Sequence, residues 1–120
     1  IEYDRVYVDL DDTLVLRSSY CNEYLMLFLY QCLNKRKELI LITKHAQNVY
    51  STLERFKISP AMFTEIIRLD PSQKKYQFIK TDKRCILIDN SFAERREVKK
   101  HLNIPAFDVA NIECLIDWRG

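Results

Sequence analysis

The chain has 120 residues, of which 48% are hydrophobic and 30% charged, with a formal net charge of +2. That composition fits one globular domain, long enough for a three-layer core and too short for two. So small a net charge gives no case for nucleic acid or an anionic membrane surface as partner, and the longest apolar segment, Leu25 to Tyr30, is far too short to span a bilayer.

The first predicted element is a strand over about Arg5 to Leu10, because Arg5-Val6-Tyr7-Val8 is a β-branched and aromatic run. A helix is expected from about Tyr20 to Asn34, with Ser18 or Ser19 as its cap. The basic run Lys35-Arg36-Lys37 follows and suits the negative end of that helix. Leu39 to Ile42 reads as a second strand, and Ala46 to Phe56 as a helix that stops before Ile58-Ser59-Pro60. Glu65 to Leu69 is a third strand. Asp70-Pro71-Ser72 then opens a helix running to about Lys80. Cys85 to Asp89 is a fourth strand and Phe92 to Leu102 a helix. Pro105 to Val109 is a short fifth strand, and Ile112 to Trp118 a last helical turn or two. Strands alternating with helices predict a parallel sheet covered on both faces. The one glycine, Gly120, rules out Gly-rich phosphate and dinucleotide loops.

The helix Tyr24-Leu25-Met26-Leu27-Phe28-Leu29-Tyr30 is apolar nearly all round, so it is expected to be buried or to form an interface. The cysteines, Cys21, Cys32, Cys85 and Cys114, show neither a CxxC pair nor metal-type spacing, and read as small buried hydrophobes in a reducing, cytoplasmic setting. No signal peptide is visible. The chain begins at Ile1 without a methionine and leads straight into a strand, as expected of a domain cut from a longer protein.

The chemistry concentrates at the ends of these strands. Asp9-Leu10-Asp11-Asp12-Thr13 closes the first strand. Strand alternation would point Asp9 and Asp11 the same way, at the sheet end where open α/β folds bind ligands. Two acids there repel unless a cation or a shared proton relieves them. The competing reading is a turn cluster or helix cap. Thr43 ends the second strand, with a helix cap as its alternative role. Lys74 and Lys75 open a predicted helix; each could equally be a solvated charge, and Lys75 is preferred because it lies one helical turn before Ile79. Asp89 ends the fourth strand, followed by Asn90, with Glu94 on the first turn of the next helix. His45 could touch a substrate but reads better as a surface histidine near a helix start. Arg17 and Tyr20 could contact substrate by position alone.

An acid pair, a hydroxyl, a lysine and another acid, in that order, closely resembles the haloacid dehalogenase superfamily of phosphatases and phosphotransferases. Asp9, Asp11 and Thr13 match its strand-borne Asp-x-Asp-x-Thr motif, Thr43 its second motif, Lys75 or Lys74 its third, and Asp89 its fourth. Asn90 stands where a second acid is often found, and Glu94 is a candidate distant acid. The resemblance implies a three-layer α/β/α Rossmann-like fold with a parallel five-stranded sheet in the order 3-2-1-4-5. It implies Asp9 as nucleophile, forming an aspartyl phosphate, and Asp11 as general acid and then base. Thr43 and Lys75 would hold the phosphoryl oxygens. Mg²⁺ would sit on the Asp9 and Asp89 carboxylates and the Asp11 backbone carbonyl, with Thr13, Asn90 and Glu94 in support. Leu14 to Leu39 has room for only one helix, so no cap domain is expected. The open site would then face solvent unless a second copy or a fused neighbour covers it. The expected activity is hydrolysis of a phosphomonoester. The alternatives are a domain of this type that binds or regulates, and a phosphoacceptor receiver-like domain, which needs an acceptor Asp at the end of an inner strand; here the third strand ends Arg68-Leu69-Asp70, and the lysine precedes rather than follows the last catalytic strand.

Overall fold

A computed structural model describes residues 2–119. In chain order the elements are β1 (Arg5–Val8), β2 (Val15–Leu16), β3 (Tyr20–Cys21), α1 (Glu23–Asn34), β4 (Glu38–Thr43), α2 (Val49–Arg55), β5 (Glu65–Arg68), β6 (Cys85–Ile88), α3 (Phe92–Leu102) and β7 (Ala106–Phe107). Short 3₁₀ turns cover Pro60–Met62, Lys75–Phe78 and Val109–Cys114. One sheet has the order β5-β4-β1-β6-β7, with every neighbouring pair parallel. β2 and β3 form a separate antiparallel hairpin.

A parallel sheet with both faces covered needs strands that are apolar throughout, and all four residues of β1 and of β6 are buried. Alternation then sorts the side chains between two cores. Val6, Val8, Leu39, Leu41, Ile86 and Ile88 face α1 and α2, packing with Leu25, Phe28, Leu29 and Leu53. Tyr7, Ile40, Ile42, Cys85 and Leu87 face the other way, toward Ile79, which follows the Lys75–Phe78 turn, and toward Val98 of α3. Each helix opens on a side-chain cap that accepts a backbone N–H: Asn22 for α1, Asn48 for α2 and Ser91 for α3.

Several expected boundaries move. α1 is capped by Asn22 rather than Ser18 or Ser19, because Tyr20 and Cys21 belong to the hairpin. Its turn is tight: Ser19 N–H donates to the Leu16 carbonyl at 2.9 Å, across Arg17 and Ser18 at φ 53° and 52°. α2 is shorter than predicted, starting at Val49. After Pro71 there is no helix to Lys80, only the four-residue turn Lys75–Phe78, since Lys74 and Ile79 on either side are extended. The fifth strand shrinks to Ala106–Phe107, and the final helical turn begins at Val109 rather than Ile112. Cys32 and Cys85 are buried as expected, but Cys21 is half-buried and Cys114 exposed, so the small-hydrophobe reading fails for Cys114.

α1 is not wrapped on all sides. Leu25, Phe28, Leu29 and Cys32 form its buried face, while Tyr24, Leu27 and Tyr30 lie open, Tyr24 edge-on to Trp118 at 5.8 Å. No described helix is long and apolar enough to cross a membrane. Left-handed backbone occurs at Asp12, Arg17, Ser18, Arg36, Lys57 and Asn103, all side-chained residues.

Candidate active site

β1 and β6 are neighbours, so the residues that follow them emerge side by side at the carboxyl edge of the sheet. Asp9 N–H still donates to the Ile88 carbonyl at 3.0 Å, and Asp89 N–H to the Phe107 carbonyl at 3.0 Å, which fixes both backbones. Both side chains are buried, at 7% and 1% exposure. Lys75 reaches between them from its turn, with Nζ 2.8 Å from Asp9 Oδ1 and 2.6 Å from Asp89 Oδ2. Lys75 is itself 3% exposed, whereas Lys74 is exposed and lies outside the cluster.

The remaining oxygens are tied down locally. Thr13 Oγ lies 3.0 Å from Asp9 Oδ2 and 3.2 Å from Asn90 Oδ1, and its single proton serves one of them at a time. The same hydroxyl accepts the Asn90 N–H at 3.1 Å. Asp89 Oδ1 accepts the Ser91 N–H at 2.9 Å. Glu94 is a working part of the cluster's frame. Its Oε2 accepts the Lys75 backbone N–H at 3.3 Å, and its Oε1 the Lys44 ammonium at 3.1 Å.

Asp11 is placed differently from the expectation. β1 ends at Val8 and Asp12 turns left-handed at φ 55°, so strand alternation does not carry through to Asp11. Its carboxylate is turned onto His45, with Nδ1 at 2.9 and 3.0 Å from its two oxygens. His45 Nε2 lies 2.7 Å from Thr52 Oγ, so both ring nitrogens are engaged. His45 is therefore a buried residue of the site, not the surface histidine expected. Its backbone N–H donates to Thr43 Oγ at 3.0 Å, and Arg68 donates to its carbonyl at 2.9 Å. The sequence signal for His45 was its place two residues past Thr43. Nothing in the spacing tied it to Thr52.

Burial pushes the Asp9 carboxyl up to about 6; the Lys75 ammonium pulls it back, and Asp89 adds to the rise. Burial works against the charge on Lys75, but Asp9 and Asp89 outweigh it and hold its pKa above the ordinary value. Two carboxylates thus share one ammonium, leaving negative charge uncompensated in a buried place. An all-oxygen donor set with surplus negative charge fits a hard divalent cation such as Mg²⁺. Among the described residues no three His, Cys, Asp or Glu side chains converge as a metal-binding group. The donor set expected here needs only two such side chains, with the Asp11 carbonyl and water completing it.

A cavity of about 310 Å³ opens against Asp11, walled by Ser18 of the hairpin, His45, Gln47, and Thr52, Arg55 and Phe56 in and after α2. A larger hollow of about 470 Å³ along α3 includes none of the clustered acids. No protein-family model matches this sequence, and comparison with curated proteins and with solved structures found no match.

Proposed function

We propose that the protein is a Mg²⁺-dependent phosphomonoester hydrolase of the haloacid dehalogenase type, working through an aspartyl phosphate on Asp9. The observation that carries this reading is the buried Asp9–Lys75–Asp89 cluster at the carboxyl ends of two adjacent parallel strands. Counted along the chain, the five sheet strands take the order 3-2-1-4-5, Rossmann-like, and the order reverses between β1 and β6. Ligands are expected at that reversal. The same order argues against the receiver-like alternative, whose sheet runs 2-1-3-4-5. Asn90, which stands where a second acid is often found, is bonded to Thr13 through both its side chain and its backbone N–H.

In the first step an Asp9 carboxylate oxygen attacks phosphorus. The bond from phosphorus to the leaving oxygen breaks, and that oxygen takes a proton from Asp11. In the second, water attacks phosphorus, gives its proton to Asp11, and the bond to Asp9 breaks to release phosphate. Lys75 has three donors, of which its two acids use two, so one remains for a phosphoryl oxygen. The Thr43 hydroxyl accepts from His45 N–H, which leaves its own proton to donate. The Asp9 and Asp89 carboxylates with the Asp11 carbonyl would hold Mg²⁺, which when bound offsets repulsion between the anionic nucleophile and the anionic phosphate.

The test is turnover of an aryl phosphate with Mg²⁺. Wild-type protein is expected to hydrolyse it, Asp9→Asn to lose all activity, and Asp11→Asn to fall by roughly 10²–10⁴-fold. Wild-type rates in a folded Asp9→Asn protein would overturn the assignment.

A further inference from the structure

The cavity beside Asp11 has a chemistry of its own. Asp11 forms one wall, so on the reading above the leaving group must enter it to receive the proton. His45 closes the inner side, but both its ring nitrogens are already engaged, so it gives the wall its shape rather than a free donor. The cation of the cavity is Arg55, in the last turn of α2. Its guanidinium lies 4.9 Å from the centre of the Phe56 ring, and its only hydrogen bond among the described residues is a long one, 3.5 Å, to the Ser18 carbonyl. Arg5, Arg84, Arg95 and Arg119 each face a carboxylate, whereas Arg55, like Arg17, Arg36, Arg68 and Arg96, takes part in none of the ion pairs of the described residues, and of these arginines it is the one that lines this cavity. Arg55 is exposed at the cavity rim, and a planar fork of donors with no acid partner, placed beside an aromatic ring, suits an oxyanion. At about 310 Å³ the space is at the small end for a ligand site.

We propose that this cavity is a leaving-group subsite, in which Arg55 binds a second oxyanion carried by a compact substrate. The substrate class is then a small phosphomonoester whose alcohol part bears a carboxylate or another phosphate. Gln47 and Thr52 line the same space and supply neutral polar contacts to the atoms between the two anionic ends. The inference rests on the phosphatase reading, since only that chemistry puts a leaving group next to Asp11.

Three esters of matched length test it: propyl phosphate, the phosphate ester of 3-hydroxypropanoate, and 1,3-propanediol bisphosphate. Wild-type kcat/KM is expected to favour at least one anionic ester over propyl phosphate by about tenfold or more, the scale of one charge-assisted contact. Which anionic ester wins tells carboxylate from phosphate. In Arg55→Met that ratio should fall to near one, whatever the absolute rates, and Arg55→Lys should restore part of it. Equal kcat/KM for all three esters, or a preference that survives Arg55→Met, overturns the subsite and leaves the phosphatase reading standing. Hydrolysis of none of them by protein that does turn over an aryl phosphate overturns the subsite, and turnover of neither sinks the phosphatase reading instead. Calorimetric binding to Asp9→Asn then reads the subsite alone: an anionic ester should bind about tenfold tighter than propyl phosphate, and lose that margin on adding Arg55→Met. Equal binding, or none, overturns it.

Discussion

Lys75 is the residue on which the buried acids depend. Its ammonium is within 2.8 Å of Asp9 and 2.6 Å of Asp89, with all three side chains out of water. Removing one member of a buried ion cluster leaves the others uncompensated, at a cost of about 3–5 kcal/mol. Lys75→Met is therefore expected to lower the urea midpoint sharply at neutral pH, whereas Lys74→Met should barely move it. Equal effects of the two substitutions would contradict the placement of Lys75. Asp9 behaves in the opposite sense. Its pKa is held up at about 6, so the ionised form is a liability to the folded chain at neutral pH. Asp9→Asn should raise the stability of the metal-free protein, on the order of 1–2 kcal/mol, while turnover disappears. A destabilised Asp9→Asn protein would show that the neighbours need that charge for folding.

At the scale of elements, α1 separates what its sequence merged. Leu25 and Phe28 looked interchangeable with Leu27 as members of an apolar run, yet the first two are at most 2% exposed and Leu27 is 38% exposed. Leu25→Glu is expected to unfold the domain, since it puts an unpaired charge into a dry core. Leu27→Glu should stay within about 0.5 kcal/mol of wild type in denaturant unfolding. If both variants unfold, the outer face of α1 is more constrained than its exposure indicates. The same helix shows what could be read from sequence. β1, β4, β6 and α3 stood out because their apolar spacing and their length pull the same way, and α3 begins and ends where its capping serine and final leucine put it. The hairpin β2–β3 escaped because two-residue strands have no period to detect. The turn at Lys75–Phe78 escaped because its geometry is imposed from outside. Glu94 holds the Lys75 backbone, and the Lys80 N–H donates to Tyr7 Oη at 3.0 Å. Asp9, Thr13, Thr43 and Asp89 were legible at element ends. The Asp11–His45–Thr52 chain was not, because it joins three separate segments.

The whole molecule has two electrostatic poles. The carboxyl edge of the sheet carries the buried acids, and the opposite edge is tied by ion pairs. There Arg5, at the start of β1, bonds Glu38 at 2.9 Å and Asp82 at 2.8 Å, while Arg84 pairs with Glu2 and Asp4. The hydrogen bond from Arg5 lowers the pKa of Glu38 and of Asp82, and that from Arg84 lowers the pKa of Asp4. A depressed carboxyl contributes stability that is present above its unfolded pKa and lost as pH falls through its folded one. Stability should therefore drop below about pH 4, and the drop should shrink in strong salt because these carboxylates are at least partly open to water. Urea unfolding of Asp9→Asn protein at pH 6 and pH 3, each with and without salt, checks this, since the raised Asp9 carboxyl, which titrates in the opposite sense, is then absent. A stability that does not change between those two values would mean that the pairs contribute nothing.

The left-handed residues bear on how this protein could be improved. A chain whose one glycine is Gly120 has to make its reversals at Arg17, Ser18, Arg36, Lys57 and Asn103 with side chains in place. Each of these except Asn103, whose short polar side chain tolerates that region, is held against its own preference by about 1 kcal/mol. At the exposed positions Arg36 and Lys57 that energy is a reserve, open to a single substitution with no new contact to invent. Arg36→Gly and Lys57→Gly relieve the strain but loosen the unfolded chain, so each should leave thermal stability unchanged or raise it slightly. In the hairpin the same tension sits beside the cavity: Arg17 and Ser18 hold the turn that brings Ser18 to the cavity wall, where its carbonyl meets Arg55.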